Sequence, residues 1–132
     1  MKPLTAEWLD KAEGDFAVME RESRVRRNPA HDIVCFHAQH CVEKYLKARL
    51  CHAGAEAGRL HDLVALLERV LACEPLWEAF RIDLAYLSDF AVAYRYPGES
   101  STREQALDAV KRCRRFRLVA RQALGITGRL SD

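Results

Sequence analysis

The chain has 132 residues, of which 49% are hydrophobic and 30% charged, with a formal net charge of +2. That length suits one core, and the composition excludes disordered, collagen-like and low-complexity classes. No apolar run approaches the roughly 18–20 residues needed to cross a bilayer, and residues 1–10 (MKPLTAEWLD) lack a signal-peptide core, so a cytoplasmic protein with no membrane association is expected.

Turn residues punctuate the sequence at Asn28-Pro29, between Gly54 and Gly58, at Glu74-Pro75, at Pro97-Gly98 and at Gly125. Five helical stretches lie between them. Trp8, Ala12, Phe16 and Met19 recur at helical spacing in the first, and Val34, Ala38, Cys41, Tyr45 and Ala48 in the second. Leu63, Leu66, Leu67, Val70 and Leu71 mark the third. The fourth carries Phe80, Leu84, Leu87, Ala91 and Tyr94 after Pro75, a residue suited to a helix start. The fifth carries Ala106, Ala109, Cys113, Phe116, Ala120 and Ala123, opening on Ser101-Thr102-Arg103-Glu104, a capping-box pattern.

No segment alternates with period two between turn residues, so no sheet is expected. The reading is an all-α, up-and-down bundle of five helices near 5–24, 30–53, 62–73, 76–95 and 101–124. It forms a single domain over 1–132, with a core at about 5–124 and a tail at 125–132. Leu46 and Leu50 widen the apolar stripe of the second helix, and a second apolar face of this kind predicts a two-fold homodimer.

Five cysteines, an odd number without a C-x-x-C pair, read as buried thiols. His37, His40 and Cys41 stand at i, i+3 and i+4. A metal cluster would need a further ligand pair, which the sequence lacks, so a packed or hydrogen-bonded histidine pair is the plainer reading and no metal is assigned. Residues 100–132 carry a net charge of +5, concentrated in Lys111, Arg112, Arg114, Arg115, Arg117 and Arg121. These form either a solvated helix face or a phosphate-contacting surface. The cluster Arg21, Arg24, Arg26 and Arg27 reads as a solvated loop edge. Phosphate-binding glycine loops, nucleophile elbows and zincin motifs are absent, so no cofactor and no catalytic residue is assigned.

Three stretches together resemble the HEPN domain. The first, DIVCFHAQHCVEKYLKARL over 32–50, is similar to the family's aromatic-His-Ala-Gln-Gln and Glu-Lys-x-x-Lys-Ala pattern through Phe36, His37, Ala38, Gln39, Glu43, Lys44, Lys47 and Ala48, with His40 in place of the second glutamine. The others are His61-Asp62-Leu63 and Tyr94-Arg95-Tyr96-Pro97-Gly98; Trp8, Ala12 and Asp15 suit the opening helix. The resemblance implies a five-helix bundle, usually a homodimer, that binds nucleotide or RNA and is often paired with a minimal nucleotidyltransferase in toxin-antitoxin systems. Many members cleave RNA through an R-x(4–6)-H motif. Arg95 matches the arginine, but Ser100, Ser101 and Thr102 stand where the histidine belongs and no histidine follows His61. Binding without cleavage by that route is therefore expected.

The candidate binding residues are Gln39, Glu43, Lys44, His61, Asp62, Arg95 and Tyr96. Each also has a plain structural reading. Glu43 and Lys47 suit a helix-surface ion pair, Asp62 an N-cap, and Arg95 a C-terminal helix cation near Asp89 or Glu99. The alternatives to a binding module are an atypical ribonuclease toxin in which His37, His40 or His61 replaces the lost histidine, and a dimerisation scaffold that binds nothing.

Overall fold

The computed structural model describes residues 1–92 and 96–126, and among these the regular secondary structure is all helical, with no strand. In chain order it forms α1 (Pro3–Ser23), α2 (His31–His52), α3 (Leu63–Val70), a 3₁₀ helix (Pro75–Phe80), α4 (Arg81–Ser88) and α5 (Arg103–Ala123). Pro3 sits at the start of α1, where its missing N–H is not needed. Asp62 caps α3 by accepting from the amides of Val64 (2.9 Å) and Ala65 (3.3 Å). α2 ends in a Schellman turn. Gly54, at φ 83°, bonds Cys51 and Ala55 bonds Leu50, using a left-handed backbone that glycine adopts without penalty.

α2 is the central helix and packs against α1, α5, α3 and α4. The apolar stripes read from the sequence point where expected: Ala12 and Met19 on α1, Leu63, Leu66, Leu67 and Val70 on α3, and Ala106, Ala109, Cys113, Phe116 and Ala120 on α5 are all buried. Leu46 and Leu50, which the stripe argument assigns to a second copy, are buried against the chain's own helices. They therefore give no reason for a dimer. All five cysteines are free thiols, four of them buried.

Two sequence expectations are corrected. The fourth helix, expected over 76–95, is a 3₁₀ helix at Pro75–Phe80 followed by an α-helix that ends at Ser88. Tighter 3₁₀ winding eclipses residues three apart, and it stacks Trp77 and Phe80 edge-on against Phe116 at ring separations of 5.1 and 5.3 Å. After Ser88 the backbone tightens, with Phe90 bonding Leu87, and Phe90 is buried while Val92 is exposed. Tyr94 lies outside the described residues. The capping box of α5 sits one residue later than expected: Thr102 accepts from the Gln105 amide and the Gln105 side chain accepts from the Thr102 amide. Ser101 instead donates its amide to Asp32 at 2.6 Å, which places the N-cap at Thr102.

Candidate functional site

Gln39, Glu43 and Lys47 lie four residues apart and so line one edge of α2, and all three are buried. Glu43 is the hub. Its carboxylate accepts from Lys47 Nζ (3.1 Å) and from the Gln39 amide (3.5 Å), and it bonds His61 Nδ1 (3.0 Å). Lys47 Nζ also lies 5.2 Å from the centre of the Trp8 ring. The Gln39 amide further donates to the His61 carbonyl at 3.3 Å, which ties α2 to the residue preceding the α3 cap. The side-chain oxygen of Gln39 is buried without a donor. His61, by contrast, has a side chain 68% exposed, so an imidazole anchored through Nδ1 on a buried carboxylate turns its other nitrogen outward. That geometry suits hydrogen bonding to a ligand or proton transfer through the free nitrogen.

A second polar cluster faces α1. Asp15 bonds His37 Nδ1 at 2.7 Å and forms an ion pair with Lys44. Next to it, Glu13 takes a fork of two bonds from Arg117, at 2.8 and 2.6 Å, and a hydrogen bond from the Tyr45 hydroxyl. Arg121 adds a longer contact to Glu13, 3.4 Å. Burial pushes the Glu13 carboxyl up, but the bonds from Arg117 and Tyr45 and the Arg117 and Arg121 charges outweigh it, leaving the group below the ordinary carboxylate range. Burial and the bond to Glu13 push the Tyr45 phenol well above its ordinary value. This cluster therefore stays ionised on Glu13 and neutral on Tyr45, as suits a fixed tie between helices.

A family comparison settles the relationship that the sequence suggested. The HEPN domain family model matches residues 5–123, nearly the whole chain. The chain belongs to the HEPN domain family. A crystal structure of TT1696 from Thermus thermophilus is similar in fold, with a TM-score of 0.78 at 18% identity, covering 90% of this chain and 97% of that one. No curated protein matches the sequence.

Within this HEPN chain, the seven candidate residues do not gather at one place. Gln39, Glu43 and His61 are joined in the network above. Lys44 is held by Asp15, on the α1 side of α2. Asp62 is engaged as the α3 cap, and Tyr96 is 81% exposed. Arg95 lies outside the described residues. Glu43 and Lys47, read as a surface ion pair, are almost fully buried, because Trp8 of α1 and the residues leading into α3 close over that edge of α2.

The His37, His40 and Cys41 trio disperses. His37 turns to Asp15, His40 Nε2 bonds the Ala91 carbonyl at 3.1 Å, and Cys41 meets Cys113, where burial and that neighbour push its thiol well above the ordinary range. Among the described residues no group of three or more His, Cys, Asp or Glu side chains is placed to hold a metal ion. The basic face of α5 is largely a set of ties. Arg112 and Arg115 meet Asp83, Arg114 meets Glu20 through two bonds of 2.6 and 2.7 Å, and Arg117 is buried over the Phe16 ring. Sequence reasoning missed these ties because each pairs residues far apart in the chain. No helix of the described residues is long and apolar enough to cross a membrane.

Proposed function

We propose that this HEPN chain is a nucleotide- or RNA-binding module centred on His61 and the Gln39–Glu43–Lys47 edge of α2, with Arg95 as a phosphate contact. It acts as a homodimer beside a minimal nucleotidyltransferase, in a toxin-antitoxin-like pair, and does not cleave RNA by the Arg-His route. The supporting observation is an exposed imidazole fixed on a buried carboxylate next to a buried amide oxygen that lacks a donor. The outward ring nitrogen of His61 can donate to or accept from a base edge or ribose hydroxyl of a nucleotide.

Fluorescence polarisation with a short labelled single-stranded RNA, and competition by AMP, tests the reading. Affinity is expected to fall as salt rises, and His61→Ala and Arg95→Ala are each expected to weaken binding by about tenfold. Arg121→Ala should leave it unchanged, because Arg121 is only 12% exposed and turned to Glu13 and Tyr45. Equal losses from Arg95→Ala and Arg121→Ala would point to diffuse charge and overturn the site.

One observation favours a second reading, the atypical ribonuclease. Each of the three histidines weighed for that role bonds the protein through one ring nitrogen, but the His61 side chain is 68% exposed against 22% for His37, and His40 is only partly exposed, so His61 is the one open to the proton of a 2′-hydroxyl. RNA cleavage in EDTA that survives repurification, vanishes in His61→Ala and persists in His37→Ala would decide for it.

A further inference from the structure

A cavity of about 490 Å³ opens between the end of α1, the first turns of α2 and the first turns of α5. It is remote from the His61 network. Val34, which lines it, and Glu43 are nine residues apart, two and a half helical turns, and so point in opposite directions from α2. The size falls within the range of small-molecule sites.

The floor is apolar, built by the buried side chains of Val34, Ala106 and Val110. Val25 and Leu107, large apolar residues left about half exposed, extend it to the rim. Three arginines, Arg24, Arg26 and Arg103, also line the cavity, against a single acidic residue, Glu22. Glu22 is already engaged, its oxygen accepting the Ala30 amide at 2.9 Å to hold the loop between α1 and α2. Arg24 reaches back to Glu20 at 3.3 Å with its side chain 75% exposed, while Arg26 and Arg103 form no ion pair among the described residues.

The contrast with the rest of α5 is informative. Arg112, Arg114, Arg115, Arg117 and Arg121 all meet carboxylates of α1 or α4. Arg103 alone among the α5 arginines does not. It stands in the first turn of the helix, where the dipole disfavours a cation, and that cost is relieved when an anion binds beside it. A guanidinium suits phosphate and carboxylate because its planar donors match two oxygens at once.

We propose that this cavity binds a small organic anion: an oxyanion head, phosphate or carboxylate, held by Arg26 and Arg103, on an apolar body resting against Val34, Ala106 and Val110. The cavity lies away from the His61 network, and its occupancy is independent of His61.

Titration of the purified full-length chain with the fluorescent amphipathic anion 8-anilinonaphthalene-1-sulfonate tests this. Saturable binding of one dye per chain is expected, displaced by phenyl phosphate or by octanoate but not by the same concentration of inorganic phosphate. The stronger of the two organic competitors identifies the source, aromatic phosphate or acyl carboxylate. Arg26→Ala and Arg103→Ala should each weaken the dye about tenfold, the usual effect of losing a charge-assisted hydrogen-bond partner, and Arg103→Glu should abolish binding. Ala106→Trp, which fills the floor, should do the same with helicity retained by circular dichroism. Arg59→Ala, an exposed cation away from the cavity, should change nothing, and neither should His61→Ala. The proposal is overturned if the dye does not bind, if Arg26→Ala and Arg103→Ala bind it like the parent chain, or if inorganic phosphate displaces it as well as the organic anions do.

Discussion

Replacing Glu43 by leucine leaves the Lys47 ammonium, 3% exposed, without its acceptor at 3.1 Å and with only the Trp8 ring 5.2 Å away. Breaking a buried pair by removing one partner costs about 3–5 kcal/mol, and a cation–π contact recovers about 1 kcal/mol of that. Against a total stability of roughly 5–15 kcal/mol, that net loss of about 2–4 kcal/mol is about a third at the middle of both ranges. Lys47→Met should cost less, about 1–3 kcal/mol, because Glu43 keeps its bonds to His61 and Gln39. The double variant, which removes both charges and keeps the volume, should fall within about 1 kcal/mol of the parent chain. Urea unfolding followed by circular dichroism, with unchanged slopes, gives all four corners of the cycle. A coupling of at least about 2 kcal/mol is expected between the two positions. The reasoning fails if Glu43→Leu costs under about 1 kcal/mol and the two changes add, since that result would mean water reaches the pair.

Acid should weaken the fold through Glu13 and Glu20. Arg117 and Tyr45 outweigh burial at Glu13, while at Glu20 the bond from Arg114 is the largest influence; both carboxyls are held below their ordinary range. A depressed folded value adds stability that is complete above the unfolded carboxylate value of about 4.3 and is lost as pH falls through the lower folded one. Urea midpoints should therefore drop below about pH 4.3, and the drop should flatten in Glu13→Gln with Glu20→Gln; an equally steep drop in that double variant would refute the assignment. Thiol labelling at neutral pH should reach Cys73 first and leave Cys35, Cys41 and Cys113 unmodified until the chain unfolds, because those three are fully buried. Rapid modification of Cys41, mapped by mass, would contradict its burial.

Much of the fold was legible because apolar spacing is a local signal. Ala12 and Met19, Val34 through Ala48, Leu63 through Val70, and Ala106 through Ala120 all fall where the periodicity put them. The fourth helix misled because Ala91 and Tyr94 continued the spacing past Leu87, while the turn at Phe90 depends on tertiary packing that no local pattern records. The capping box slipped by one residue for a similar reason. Ser101 and Thr102 are chemically equivalent caps, and the choice is made by Asp32, 69 residues away, taking the Ser101 amide.

The site was legible in its residue types and not in its grouping. A stripe argument treats each helix as having one inner face, so polar residues beside the stripe are read as exposed. α2 is covered nearly all round, and its polar positions must therefore find partners inside: Asp15 for His37 and Lys44, Glu13 for Tyr45, and Glu43 for Gln39 and Lys47. This requirement also separates structural ties from candidate contacts. His37, Lys44 and Arg121 are 22%, 23% and 12% exposed, so the clusters around Asp15 and Glu13 present little surface to a ligand. The Glu43 cluster ends instead in His61, at 68%, with a free ring nitrogen above a buried charge. A ligand approaching α2 from solvent meets that imidazole before any other member of its three polar clusters, which is why the binding site proposed for this chain is placed at the Glu43 edge.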